Sequence, residues 1–141
     1  MPFHPLTDRF GVMGQVSRQD VADAAERGAQ MIIMNRPDGE EPGQPSSDQV
    51  RQWAEEHGMA FRHIPVDPGA ITAQAVDQTR QALADSDGRA LAFCKSGGRS
   101  TVLWALARAA EGEDADVLIA RAADQGYDLR PLASVLRRKG D

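Results

Sequence analysis

Short apolar runs that alternate with longer amphipathic segments are the feature that most restricts the fold of this chain. The run at residues 31–34 (MIIM) is continuous and too short for a buried helix, which predicts a strand covered on both faces. Similar runs recur at residues 10–16, 59–66 and 89–93, with helical patterns between them. This alternation predicts an α/β fold with a mainly parallel sheet flanked by helices.

Caps and breakers place the predicted helices and one long loop. Ser17, Thr72 and either Ser46 or Ser47 carry a hydroxyl that can accept a hydrogen bond from a free helix N–H. Residues 36–47 (RPDGEEPGQPSS) contain three Pro and two Gly, which predicts a loop. Ligands of such folds bind beyond the carboxyl ends of the strands, where this loop should meet the segment after residue 93. Six helices are predicted. One covers residues 18–27, one runs from the cap at 46 or 47 to about residue 57, and one runs from the cap at 72 to about residue 85. The other three cover residues 101–110, 115–124 and 130–139.

Length and charge restrict the class of protein. The chain has 141 residues, a common domain size, which predicts one domain over residues 1–141. Its net charge of −5 has the wrong sign for a general nucleic-acid or anionic-membrane binder. The N-terminal residues lack the features of a secretory signal, and no apolar run approaches the roughly 20 residues that span a bilayer. We therefore expect a soluble, cytoplasmic protein, and the sequence leaves its oligomeric state open.

The single cysteine, Cys94, lies where residues 94–100 (CKSGGRS) join a predicted strand to a predicted helix. A lone cysteine excludes an internal disulfide and a thiolate zinc cluster. The N–H groups of a glycine-rich loop and the following helix N-terminus form a site for anions, and together with Arg99 they favour the thiolate. The other interpretation, a buried small apolar residue, leaves the paired glycines and the arginine unexplained. We predict that Cys94 is a nucleophile and that Arg99 binds a substrate oxyanion. The predicted anion-binding loop consists of Lys95, Ser96, Gly97 and Gly98.

Three segments resemble the phosphatase-like domain of the beta-lactamase hydrolase-like proteins. They are residues 35–46, residues 63–72 with the sequences HIPV and PGAIT, and residues 94–100. The resemblance extends over about residues 10–110 and implies a fold like that of dual-specificity and tyrosine phosphatases, with a four- or five-stranded sheet. Residues 111–141 would add C-terminal helices. The family's activity is assigned as phosphatase or sulfur transferase, and some members carry a metallo-beta-lactamase-type module, which we do not expect within 141 residues.

The loop length favours sulfur transfer. Tyrosine phosphatases place five residues between the cysteine and the arginine, whereas this chain has four, as in rhodanese-type sulfurtransferases. The missing residue removes up to about 3.3–3.6 Å of chain and one N–H donor, so a phosphoryl group has less room than a single sulfur atom. We therefore predict a cysteine-dependent sulfurtransferase that needs no cofactor. Cys94 takes sulfur from a small anionic donor such as thiosulfate, and the persulfide passes to an external thiol because the chain has no second cysteine.

The alternative is a phosphatase that forms a phosphocysteine at Cys94 and binds the phosphate of a small anionic ester through Arg99. Asp67 lies 27 residues before Cys94, about where phosphatases of this fold carry a general acid. Its other interpretation is a turn residue that bonds to nearby backbone. Phe93 stands where phosphatases usually carry histidine. A third hypothesis is a non-catalytic module that binds anions.

Other polar residues near this edge have less specific interpretations. Arg36 either helps to capture an anionic substrate or pairs with Asp38 to stiffen the loop. Glu40 and Glu41 are interpreted as solvated loop charges. The family resemblance implies that Ser100 donates a hydrogen bond to the thiolate, although an ordinary serine of the first helical turn also fits. The three histidines, His4, His57 and His63, lack ligand spacing, so we predict no metal site.

Overall fold

This computed structural model describes residues 3–140, which contain five strands and six α-helices. The short 3₁₀ turn Arg130–Leu132 precedes the last helix. The strands are β1 (His4–Thr7), β2 (Phe10–Met13), β3 (Ala29–Met34), β4 (Ala60–His63) and β5 (Arg89–Phe93). The helices are α1 (Arg18–Glu26), α2 (Ser47–Glu56), α3 (Ala73–Asp85), α4 (Gly98–Ala110), α5 (Ala115–Asp124) and α6 (Ala133–Gly140).

The sheet has the order β1-β2-β5-β3-β4. Strand β1 pairs antiparallel with β2, and the other neighbours are parallel. The register places Phe93 beside Met13 and Met34, and Met34 beside His63. The carboxyl ends of four strands therefore lie at one edge, which is where a fold of this class binds its ligand. The predicted α/β class with a mainly parallel, helix-flanked sheet is confirmed, with five strands.

The two faces of the sheet bury separate apolar clusters. Ile32 and Phe93 belong to a cluster completed by α1 and α2. Ile33 and Ala92, their neighbours along the strands, belong to a larger cluster that includes α3 to α6. Successive residues of a strand point to opposite faces, so the continuous apolar runs follow from burial on both sides. Trp104 of α4 is buried in the larger cluster, stacked on Phe10.

The caps are as predicted, whereas several element boundaries are not. Ser17, Ser46 and Thr72 each accept a hydrogen bond from the first turn of their helix. Strand β1 was not predicted, because a four-residue edge strand that contains proline carries little pattern. The prediction for β4 ran from residue 59 to residue 66, whereas the strand covers Ala60–His63, although the N–H groups of Ile64 and Val66 still donate to the carbonyls of Met34 and Asn35. Helix α4 begins at Gly98, earlier than the predicted 101.

No helix within residues 3–140 has both the length and the apolar character to cross a bilayer. One domain over residues 1–141 stays a prediction.

Candidate active site

Cys94 lies directly after β5, at the edge where the parallel strands end. Its side chain is buried, and its Sγ accepts a hydrogen bond from the backbone N–H of Gly97 at 3.0 Å. The loop can bring this N–H back onto the sulfur because Gly97 has φ +92°, a conformation that other residues rarely adopt. A backbone donor at this distance stabilises negative charge on the sulfur.

Gly97 also forms the N-terminus of α4, and Gly98 is the first helical residue. The carbonyl oxygen of Gly97 accepts bonds from both the N–H and the hydroxyl of Thr101, which secures the first turn. The N–H of Gln15 donates to the carbonyl of Lys95 at 3.3 Å and ties the loop to the end of β2. The predicted arrangement of strand, glycine-rich loop and helix start is therefore present, with the positive end of the helix at the cysteine.

Arg99 extends from the first turn of α4 across the site. Its Nη1 donates to Glu40 Oε2 at 2.7 Å and to the Val66 carbonyl at 2.8 Å, and its Nη2 donates to Glu40 Oε1 at 2.9 Å. The hydrogen on Nε and the second hydrogen on Nη2 bond to neither of these groups, and the guanidinium also interacts with Cys94. Hydrogen bonding to Glu40 raises the pKa of Arg99, and a thiolate at Cys94 adds to this effect. The edge formed by Nε and Nη2 is suited to a bidentate oxyanion.

Glu40 was interpreted from the sequence as a solvated loop charge, and this interpretation is wrong. Its Oε1 accepts hydrogen bonds from Arg36 Nε and Arg99 Nη2, both at 2.9 Å. The bond from Arg99 is the main reason that the pKa of Glu40 falls to about 2. The sequence carries no local signal for this contact, because Glu40 lies 59 residues before Arg99 and only the folded loop brings the two side chains together.

Arg36 is buried, and its contacts match neither of its two predicted roles. Its Nε donates to Glu40 and its Nη1 donates to Gln15 Oε1 at 2.9 Å. Its Nη2 lies 3.4 Å from Glu41 Oε1. Arg36 therefore fixes the Glu40 carboxylate, which in turn bonds to Arg99, and it does not pair with Asp38.

Asp38 belongs to the start of α2. Its two carboxylate oxygens accept bonds from the N–H and the hydroxyl of Ser47 at 2.6 and 2.7 Å, and the hydroxyl bond lowers the pKa of Asp38. The prediction that Asp38 forms part of a substrate loop is corrected accordingly, since its carboxylate anchors the long loop on the helix. The neighbouring Glu41 forms an ion pair with the exposed Lys95 side chain, which joins the same loop to the cysteine loop.

Asp67 and Ser100 are the two remaining residues of the predicted catalytic set. Asp67 is exposed and directly follows Val66, whose carbonyl accepts from Arg99. Within residues 3–140, the Asp67 carboxylate makes no hydrogen bond to nearby backbone, although its carbonyl closes a turn with Ala70. The Ser100 hydroxyl is buried and has no hydrogen-bond partner among the described residues, so its predicted bond to the thiolate is not made here.

Two of the three histidines make contacts that involve no metal ligand set. Nε2 of His63 lies 3.2 Å from the carbonyl of Arg36, and the His4 ring contacts Tyr127. Among the residues that the structure describes, no group of three or more His, Cys, Asp or Glu side chains is arranged to hold a metal ion.

Replacing Glu40 with Gln should destabilise the protein by about 1–3 kcal/mol at neutral pH, because Arg99 loses its carboxylate partner and Arg36 loses one of two. The pKa of Glu40 is lowered in the folded state, so its contribution is present above its ordinary value of 4.5 and is lost as the pH falls towards about 2. The difference between wild type and Glu40→Gln in urea unfolding should therefore shrink between pH 7 and pH 3. Glu56→Gln, which removes an exposed partner of Arg18, is the matched control and should have little effect at either pH. A difference that is constant with pH would contradict the assignment.

The family follows from comparison with known sequences. Residues 2–111 match the model of the beta-lactamase hydrolase-like protein, phosphatase-like domain. The chain belongs to this family. The phosphatase-like domain is 33% identical over 135 residues to a beta-lactamase hydrolase-like protein of Xylella fastidiosa, which is 95% of this chain and 31% of the relative. The chain thus spans about a third of the length of that relative.

Solved structures show the same fold. A candidate phosphatase from Neisseria meningitidis is 34% identical to the phosphatase-like domain, with a TM-score of 0.83 and 96% of each chain covered. The active form of Tk-PTP is only 14% identical, yet it has a TM-score of 0.75 and covers 98% of this chain and 95% of its own. The fold of the phosphatase-like domain is therefore that of the dual-specificity and cysteine phosphatases.

Proposed function

We propose that this phosphatase-like domain hydrolyses a small phosphate monoester through a covalent intermediate on Cys94. The observation that carries the proposal is the arrangement of Arg99. Glu40 and Val66 hold one side of its guanidinium, which also interacts with Cys94, whose buried sulfur already accepts a backbone hydrogen bond. This arrangement suits a tetrahedral oxyanion bound directly above a thiolate.

The reaction has two steps. The Cys94 thiolate attacks phosphorus, the bond from phosphorus to the ester oxygen breaks, and the Asp67 carboxyl group gives its proton to the leaving oxygen. Water then attacks the phosphocysteine, the Asp67 carboxylate takes a proton from that water, and the sulfur–phosphorus bond breaks. Phosphate leaves and the thiolate is restored. Arg99 and the N–H groups of Lys95, Ser96 and Gly98 would stabilise the charge on the phosphoryl oxygens in both steps, while the Gly97 N–H bonds to the sulfur.

The short loop favours sulfur transfer, whereas the family and the fold favour a phosphatase. The sequence favoured sulfur transfer because only four residues separate Cys94 from Arg99. Since α4 already begins at Gly98, Arg99 projects from the first helical turn and reaches the sulfur in spite of the shorter loop. The family is described as phosphatase-like, and the Neisseria meningitidis protein with the same fold is a candidate phosphatase.

Sulfur transfer is the second candidate, and the four-residue spacing is the observation that favours it. In this reaction the Cys94 thiolate would attack the outer sulfur of thiosulfate and the sulfur–sulfur bond would break. Sulfite would leave, and an external thiol would later take the sulfur from the persulfide. The partner would then be a small thiol or a thiol-bearing protein. Cytoplasmic localisation stays a prediction from the sequence for either reaction.

One pair of assays separates these functions. The wild-type chain should release phosphate from para-nitrophenyl phosphate and should form no thiocyanate from thiosulfate and cyanide. Thiocyanate formation without phosphate release would replace the phosphatase with a sulfurtransferase. If neither product forms, the third hypothesis, a non-catalytic module that binds anions, would stand instead.

Replacing Asp67 with Asn should reduce kcat/KM, which reports formation of the phosphocysteine, about a hundredfold for phenyl phosphate, a substrate with a poor leaving group that needs protonation. The loss should be much smaller for para-nitrophenyl phosphate, because nitrophenolate leaves without a proton. Asp77→Asn on α3 removes an exposed carboxylate and is the matched control, with kcat/KM expected to stay at the wild-type value for both esters. Equal losses for the two esters would exclude Asp67 as the general acid.

A further inference from the structure

Tyr127 contacts the cysteine loop from a part of the chain that the family model does not match. It follows α5 and lies beyond residue 111, the last residue of the matched segment. Its hydroxyl donates a hydrogen bond to the Ser96 carbonyl at 3.0 Å. The same hydroxyl packs so closely on Gly97 that a Cβ at this position would collide with it. Tyr127 therefore covers the outer side of the loop.

The Ser96 carbonyl and the Gly97 N–H belong to one peptide group. The carbonyl accepts the bond from Tyr127, and the N–H donates to Cys94 Sγ at 3.0 Å. A trans peptide is planar, with its C=O and N–H pointing in opposite directions. Fixing the oxygen on one side therefore directs the N–H towards the sulfur on the other side. The two bonds also polarise each other through the peptide.

The backbone at Gly97 would also allow another orientation of this peptide. Glycine adopts positive and negative φ with similar ease, so the peptide before Gly97 can rotate at little cost. Rotation would turn the carbonyl oxygen towards Cys94 and place a negative dipole beside the thiolate. We propose that Tyr127 is a positioning residue for the nucleophile, which keeps the Gly97 N–H directed at Cys94 by fixing the Ser96 carbonyl.

The charged surroundings are compatible with this role. Burial, and to a smaller extent a thiolate at Cys94, raises the pKa of Tyr127, so its hydroxyl remains a donor at neutral pH. Among the described residues, Arg99 from α4 and Tyr127 interact electrostatically with Cys94, and Glu40 acts through Arg99. From β1, His4 packs edge-on against the Tyr127 ring, with ring centroids 5.6 Å apart.

The test is the rate of Cys94 alkylation by iodoacetamide as a function of pH, measured on the full chain. Tyr127→Phe keeps the ring and removes the bond to Ser96. We expect the pH of half-maximal alkylation to rise by about half a unit, and the rate at about pH 6 to fall about threefold. Arg130→Ala is the control, because Arg130 lies in the same C-terminal segment and bonds to Asp128. Its profile should match the wild type.

A Tyr127→Phe profile that coincides with the wild type, or an equal shift in Arg130→Ala, would overturn the proposal. A second measurement is the amide resonance of Gly97, which should move when Cys94 ionises in the wild type and move less in Tyr127→Phe; equal movement in both would also overturn it. The inference rests on the proposed function only in taking Cys94 as the nucleophile. Alkylation involves no phosphate or sulfur substrate, so a failure of the phosphatase assay would leave this test unaffected.

Discussion

The Cys94→Ser variant should lose phosphatase turnover by at least about a thousandfold. A serine hydroxyl is far harder to ionise than a thiol, and one backbone N–H with one guanidinium is not enough to produce an alkoxide at neutral pH. The measurement is kcat/KM for para-nitrophenyl phosphate, with thermal unfolding to verify the fold. Turnover within about tenfold of the wild type would show that Cys94 is not the nucleophile.

Binding provides the control for this variant. Cys94→Ser leaves Arg99, Glu40 and the loop N–H groups in place, so inorganic phosphate should still bind in isothermal titration. Loss of both turnover and phosphate binding would indicate a collapsed loop rather than a missing nucleophile.

Arg99→Lys should reduce kcat/KM for para-nitrophenyl phosphate by about a hundredfold to a thousandfold. The arginine bonds to Glu40 and Val66 on one side and presents a second edge to the substrate, whereas an ammonium group cannot do both. The loss should appear in both kcat and KM, because the guanidinium contacts the phosphoryl group in the ground state and the transition state.

Arg89→Lys is a matched control for the arginine change. Arg89 is the first residue of β5, at the opposite end of the strand from Cys94, and donates to the Arg27 carbonyl. Its kcat/KM should remain within about twofold of the wild type. A comparable loss in both variants would mean that Arg99 acts on the fold rather than on the substrate.

Much of the architecture was predictable because it follows from local pattern. The apolar runs identified β3 and β5, and hydroxyl residues located the helix starts at Ser17, at Ser46 or Ser47, and at Thr72, with Ser46 as the cap that the structure shows. The position of the cysteine loop was predictable as well, because a strand end, two glycines and a helix start are adjacent in sequence. In contrast, β1 is an antiparallel edge strand whose place depends on β2 rather than on its own pattern.

The contacts around Arg99 were not predictable from local sequence. Glu40 lies 59 residues before Arg99, and only the folded loop brings the two together. The fold also places Asp38 next to Ser47 at the start of α2. The sequence alone does not distinguish this contact from a role of Asp38 at the site. Tyr127 carries no local signal at all, because its role depends on the return of the chain after α5 to the cysteine loop.

The most direct test of the proposed function is to identify what Cys94 carries during turnover. Wild-type protein is quenched in acid while it turns over para-nitrophenyl phosphate, and in parallel after incubation with thiosulfate, and the peptide that contains Cys94 is analysed by mass spectrometry. A phosphatase should show one added phosphoryl group in the first sample and an unmodified peptide in the second. An added sulfur atom after thiosulfate, with no phosphoryl group from the ester, would contradict the proposal and establish sulfur transfer.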